Sequence, residues 1–429
     1  MVEARRTPLS ELAGVQRKII GVLAGAQVVS GMGTSVAFAF SALVVHELSG
    51  STALSGLAGT AVVLGAALFA LPTARAAGKG GRRAGLSLAY GVALLGSVIA
   101  VTAIALGLWP LLLAGLLLLG AGTAGNLSAR YAATDLAPAG HAARHLSWVV
   151  WAATVGAVAG PNLAQPAAEL GARLGLSPEA GPFAAAGLTF ALSGLILNIW
   201  LRPDPLVLAR SLAVPTLDDH GLPVRTSMRA AWAALKVVPA ARRALLAIAV
   251  SHTAMVSIMS MTPVHLDGGH ATLTIIGIVI SIHVAGMYTL APLIGSLADR
   301  VGKPQVLILG MLLLLAAAAT AGMGGHNVPM VTIGLFLLGV GWSCGLIAGS
   351  SMLSEALSVD LRPVVQGFSD LVMNACGAGG ALLAGAVMGA TSFGALSGLV
   401  GTMVVLTVLS LSRGMGAVPP GGRQVPSSY

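Results

Sequence analysis

Charge is scarce in this chain. Only 9% of its 429 residues are Asp, Glu, Lys or Arg, against about 25% in a soluble domain, and the shortage runs along the whole length. With 56% hydrophobic residues and a mean hydropathy of +0.90, the apolar side chains exceed what a globular interior can hide, so lipid must be the solvent. Cysteine is almost missing. Cys344 and Cys376 both fall inside apolar runs without the spacing of a metal or redox pair, so they read as small packing residues and no disulfide framework is implied. A nucleotide-binding loop, paired catalytic carboxylates and a nucleophile with a base are lacking too, which argues against an enzyme. Aromatics are few at 4%, while glycine is abundant at 57 residues. Small residues let membrane helices approach closely, and in lipid that packing holds a bundle together.

Windows of about 20 residues place apolar helices near 19–45, 53–73, 84–107, 109–132, 146–166, 181–201, 243–263, 272–297, 304–324, 328–353, 363–389 and 391–412. The first run is too long for a signal-peptide core and is read as a retained helix. Twelve spans of this kind predict an all-α membrane protein. Between the sixth and seventh lies the one long polar stretch, Arg202 to Arg243, with Pro203, Pro205, Asp218 and Asp219. The predicted organisation is a six-helix bundle over 1–201, a linker over 202–242, a second six-helix bundle over 243–412 and a disordered tail over 413–429, rich in Pro, Gly and Ser.

The formal net charge of +9 raises the question of nucleic acid, and the placement of the charges answers it. With a cytoplasmic N-terminus, every Lys and Arg except Arg173 falls on the cytoplasmic side. One missed helix would invert every later loop, so the asymmetry supports helix count and orientation together. The expectation is a multi-pass protein of a bacterial inner membrane, with both termini cytoplasmic, lipid around it and no nucleic-acid partner. A monomer is expected.

After the eighth helix the chain reads Gly295-Ser296-Leu297-Ala298-Asp299-Arg300-Val301-Gly302-Lys303. This resembles the cytoplasmic loop signature of the major facilitator superfamily, which implies the major facilitator fold, 12 transmembrane helices in two six-helix bundles. A carboxylate and a guanidinium at a helix end can pair with a neighbouring helix terminus and hold a gate, while glycine permits the tight turn. The corresponding first-bundle loop, Pro72 to Arg83, keeps its basic residues and lacks the acid. In the fifth helix, Gly156, Gly160 and Pro161 look like the superfamily's fifth-helix signature, associated with antiporters. Two glycines one turn apart make a flat face for a partner helix, and the proline bends the chain.

Helices seven and eight carry the residues with metal chemistry. Met255 and Met259 stack at a spacing of four, as do His283 and Met287 on the next helix, and His252 joins the first face. Thioether sulfur is soft and neutral and selects Cu(I), and imidazole accepts copper in either oxidation state. Packing is the alternative reading of such methionines, although histidine inside lipid is unusual. The paired motifs resemble those of the CcoA-like copper importers within the superfamily. That resemblance implies copper as the transported substrate, Met255, Met259, His283 and Met287 as its ligands, and a supply route to a haem-copper oxidase. Met261, His265 and His270 at the loop between these helices, with His252, are expected to capture metal at the entrance.

Asp370, about two turns into helix eleven, is a carboxylate able to carry a coupling proton, its rival role being a pair with Arg362. Asn126, Asn162 and Asn374 are expected to bond across helices. No prosthetic group is expected. The leading reading is therefore a secondary-active copper importer working by alternating access. Its rivals are a proton-coupled exporter of small organic molecules and a non-transporting membrane copper sensor or assembly factor.

Overall fold

Apolar runs bounded by capping residues fold into helices throughout. The computed structural model describes residues 9–213 and 228–412; part of the expected linker and the whole expected tail lie outside the described residues. The first set of helices comprises α1 (Leu9–Ser49), α2 (Thr52–Leu106), α3 (Trp109–Ala132), α4 (Ala142–Arg173) and α5 (Gly181–Trp200). Short helices α6 (Pro205–Leu212) and α7 (Met228–Val237) lie between the sets. The second set comprises α8 (Pro239–Gly268), α9 (Leu273–Tyr288), α10 (Ala291–Val301), α11 (Lys303–Met323), α12 (Val328–Glu355), α13 (Arg362–Ala390) and α14 (Phe393–Ser412). Side chains of Ser51, Asp204, Thr272 and Asn327 accept hydrogen bonds from the first-turn amides of α2, α6, α9 and α12, and proline opens α3, α5, α8 and α10 through α13. Both devices silence amides that a helix start leaves without partners.

Among the described residues, ten helices are long and apolar enough to cross a membrane, and α4 adds an eleventh as two segments meeting at 53°. The twelfth pass is folded into α2. At 1.5 Å per residue its 55 residues would span about 80 Å, against a hydrocarbon layer of about 30 Å. Gly81, at φ 85° and ψ 173°, breaks the helix, and Gly85 lies against Thr73 and Ala77, so the chain turns back on itself there. Expected helix eight is likewise two elements. Pro292 sits in the first turn of α10, where a proline has no amide to continue the ladder from α9.

Two apolar clusters fill the interior. One runs from Ile19 to Ala209 and the other from Tyr131 to Leu411. Tyr131, Ala143, Leu146 and Val150 of the first set belong to the second cluster, because α4 packs against α10 and α12. We call the end of the bundle that holds Leu9, Pro239 and Ser412 the basic end, after its arginines and lysines.

Candidate functional site

A cavity of about 150 Å3 lies between the two sets of helices. From the first set, α1 contributes Gln27, Gly31 and Thr34, and α3 contributes Thr123, Asn126 and Arg130; from the second come Tyr288 of α9, with Trp342 and Leu346 of α12. Its polar wall is a built network. The Asn126 side-chain oxygen accepts from Ser30 Oγ at 2.6 Å and Tyr90 OH at 2.9 Å, and its amide nitrogen donates to Thr34 at 3.2 Å. The cross-helix role expected of Asn126 is thus met, whereas Asn162 and Asn374 bond carbonyls of their own helices, Val158 and Asp370. The opposite wall is aromatic. Trp342 Nε1 donates to His252 Nδ1 at 3.1 Å, and the Tyr288 ring meets Trp342 edge to face at 5.7 Å. Two buried acceptors, Gln27 Oε1 and Thr123 Oγ1, have no partner among the described residues, so the cavity offers unused hydrogen-bonding capacity beside a fixed indole.

On the basic-end side of the cavity, a buried ion pair joins the two sets. Arg130 of α3 donates to Asp370 of α13 at 2.6 Å, to Ser350 of α12 at 3.0 Å and to the carbonyl of Leu127, and its guanidinium lies over the Tyr131 ring. Asp370 therefore pairs with Arg130 and not with the expected Arg362, whose Nε donates to the Leu357 carbonyl at 3.3 Å. Sequence spacing favoured Arg362 because it is near in the chain; α3 delivers a closer cation from 240 residues away. Arg82 forms a second buried pair, bidentate to Asp135 at 2.7 and 3.0 Å, and also donates to Gln366 of α13 at 2.7 Å. Gln366 in turn donates to Ser354 of α12 at 3.0 Å. Sequence reading missed Arg82, Arg130 and Asp135 as a network, since each counted only as a basic-side charge.

The signature loop closes the same end. Asp299 accepts from the backbone amides of Ala143 at 3.2 Å and Arg144 at 2.8 Å, the first residues of α4, where a carboxylate meets the positive end of the helix dipole. Lys303 bridges Asp299 at 3.3 Å and Glu355 at 2.9 Å. Gly302 has φ 107°, a conformation a side chain would resist. Arg300 is exposed. In the first set, the acid missing from the loop comes from elsewhere: Asp204 accepts from the amides of Arg82 at 3.1 Å and Arg83 at 2.8 Å. A Cβ on Gly81 would stand 2.5 Å from that carboxylate.

Gly156 and Gly160 do form a contact face, and its partner is α1. A Cβ on Gly156 would meet the Gly31 backbone at 2.8 Å, and one on Gly160 would meet Ser35 at 2.5 Å. The bend in α4 falls between Gly160 and Asn162.

The four expected metal ligands divide between α8 and α9, the two helices that flank α12. His283 is fully buried, and its Nδ1 lies 2.8 Å from the Leu335 carbonyl. A carbonyl only accepts, so in the neutral ring Nδ1 carries the hydrogen and the Nε2 lone pair is free; Nε2 has no partner among the described residues. Met287 is buried one turn on, its backbone beside Gly339. On α8, Ser251 packs on Gly345 of α12, Met255 is buried one turn beyond it, and Met259 is half-buried. α12 packs along both α8 and α9, which meet each other only sparsely. The expected entrance residues are dispersed. His252 accepts from Trp342, His265 bonds the Gly325 carbonyl at 2.7 Å between the rings of His326 and Phe393, His270 is exposed at φ 61°, and Met261 packs against the core.

A family model described as Major Facilitator Superfamily matches residues 23–270 and 244–427. The chain belongs to the major facilitator superfamily. It is a multi-pass membrane transporter, in a superfamily of carriers and not of enzymes. The uncharacterized MFS-type transporter YdeG of Bacillus subtilis (strain 168) is 34% identical over 403 residues, covering 93% of this chain and 92% of that protein. The riboflavin transporter RfnT of Brucella anthropi is 28% identical over 401 residues, covering 93% and 96%. Among superfamily structures, the proton:xylose symporter XylE bound to 6-bromo-6-deoxy-D-glucose matches at a TM-score of 0.73 and 15% identity, over 94% of this chain and 96% of that one. This last likeness concerns fold alone.

Proposed function

We propose that the chain carries a small organic molecule with a planar ring and several hydrogen-bonding groups, by alternating access about the central cavity. One observation carries this reading: Trp342, held by His252 and edged by Tyr288, faces a polar wall with two unpartnered acceptors. A ring stacks on such an indole, and donors on the solute satisfy Gln27 and Thr123. The riboflavin transporter among the relatives supports a ring-bearing solute. In this reading the basic end faces the cytoplasm of a bacterium, and the bonds from Arg82, Arg130 and Asp299 across the two sets hold that side shut. The test is binding of riboflavin, as a probe, to purified protein by flavin fluorescence. Trp342→Ala is expected to weaken binding at least about tenfold, the loss of one stacked ring, with Trp342→Phe intermediate; equal binding by all three overturns the reading.

A second reading, copper import, is supported by His283. A ring fixed through its Nδ1–H to a backbone carbonyl, with Nε2 free, is the arrangement that orients a metal-binding histidine. Met287, one turn from His283 on α9, would supply a soft donor for copper as substrate, whereas Met255 and Met259 belong to α8, across α12. Cell copper measured by mass spectrometry decides this: His283→Leu is expected to abolish copper accumulation, and accumulation equal to wild type removes the copper reading while leaving the ring-solute reading intact.

A further inference from the structure

A second cavity is larger than the central one. A crevice of about 1140 Å3 opens at the basic end between α1 and α4. Its mouth holds three arginines, Arg17, Arg144 and Arg362. The carboxylate nearby, Asp135, is already bound bidentately by Arg82. Deeper, the walls become apolar, with Ile20 and Ala24 on α1 and Trp148 and Trp151 on α4.

Two features point the crevice toward lipid. Trp148 and Trp151 are 43% and 37% exposed, and they continue into Val155 and Val158, at 39% and 62%, along one stripe of α4. Gly156 and Gly160, which hold α1, lie on a different face of the same helix. On α1, the exposed residues Arg17, Gly21 and Gly25 form the matching stripe. Tryptophan at this depth is the residue that settles at a membrane interface. Basic mouth, apolar depth and lateral opening together match the shape of an anionic phospholipid.

A third feature narrows the headgroup. Gln16 is 2% exposed and lines the crevice. Its amide nitrogen donates to the Ala133 carbonyl at 2.7 Å and meets His145 Nδ1 at 3.0 Å, which fixes the amide orientation. Its oxygen, buried, has no partner among the described residues. A buried acceptor needs a donor; a choline headgroup brings none, and a bare phosphate monoester loses its O–H as it becomes the dianion that arginines favour.

We infer that this crevice binds an anionic phospholipid whose headgroup carries a hydroxyl, of the phosphatidylglycerol class. The phosphate sits among Arg17, Arg144 and Arg362, a headgroup hydroxyl donates to Gln16 Oε1, and an acyl chain follows Ile20 and Ala24 beside the tryptophans. Arg17 and Arg144 belong to the first set of helices and Arg362 to the second, so a bound lipid links the sets across the closed basic end. The inference is independent of what the central cavity carries.

The test is native mass spectrometry of the full-length protein released from bilayers containing equal phosphatidylcholine, phosphatidic acid and phosphatidylglycerol. Wild type is expected to retain phosphatidylglycerol over phosphatidylcholine by at least about tenfold, and over phosphatidic acid by a smaller factor. Arg17→Gln with Arg144→Gln should erase the first preference. Gln16→Leu should erase the second and keep the first, which separates lost binding from lost folding. Soluble glycerol phosphate should not displace the lipid, since it lacks the chain. Retention of the three lipids in equal amounts by wild type, preferences unchanged in both variants, or displacement by glycerol phosphate would each overturn the inference, the last by assigning the site to a free anion.

Discussion

Asp370 and Arg130 face each other in the buried interior, and removing either leaves a buried charge without its partner. Asp370→Asn is expected to cost about 3–5 kcal/mol, read as a lower thermal midpoint of the detergent-purified protein. Replacing both residues with methionine should recover much of that loss, because packing substitutes for a pair whose desolvation was expensive. An unchanged midpoint in the single variant would show the pair to be open to water. Asp370 as a proton carrier follows a different logic from the one its sequence position implied: it is buried in a pair, so it could take up a proton only after Arg130 moves away. His252 is the other residue whose role changed. Its lone pair belongs to Trp342, so His252→Leu should leave a buried indole N–H unmet and weaken ring-solute binding, measured as above, by about tenfold.

At the scale of helices, the tolerances are set by backbone approach. Gly156 touches Gly31 so closely that any side chain must push α4 off α1. Gly156→Val should reduce the folded, monodisperse fraction on size-exclusion chromatography severely. Gly194, with open space at its Cβ position, should accept alanine without effect. Gly81 is constrained by conformation as well as space, since φ 85° and the Asp204 carboxylate both oppose a side chain. In lipid there is no hydrophobic drive between helices, so lost close packing is not made up by burying larger apolar groups.

For the whole molecule, the question is which end is open. Polar bonds between the two sets concentrate at the basic end: Asp299 to the start of α4, Arg82 to Gln366 and Arg130 to Asp370, with Arg210 of the intervening α6 paired to Asp360 at 3.1 Å. Asp299→Ala removes two amide contacts and a lysine pair together, and should shift the population toward separation of the sets at that end. Spin labels at Ala139→Cys and Val301→Cys, with Cys344 and Cys376 replaced by alanine, report it by electron–electron distance measurement. A longer distance component is expected to grow severalfold, as about 1–2 kcal/mol is withdrawn from one state. An unaltered distribution would show that the loop carries no gating energy.

The amino-acid sequence by itself determined the solvent, the helix count and the superfamily, because these depend on properties local to the chain: hydropathy over 20 residues, the sign of charge between spans, and a nine-residue loop. It also located Gly156 and Gly160 as a contact face, since their spacing on one helix is enough to make a groove. What it could not determine were partners. Arg130 for Asp370, Asp204 for the amides after Gly81, Trp342 for His252 and α1 for the two glycines each come from distant segments, and spacing along one chain carries no record of which helices become neighbours. The paired methionine and histidine motifs show the same division. Their depth in the bundle was legible from helix periodicity, while the tertiary structure decided that α12 stands between α8 and α9 and that the Leu335 carbonyl sets the proton on His283. The central cavity belongs wholly to the second kind of knowledge, because its walls are five helices that meet only once the chain has folded.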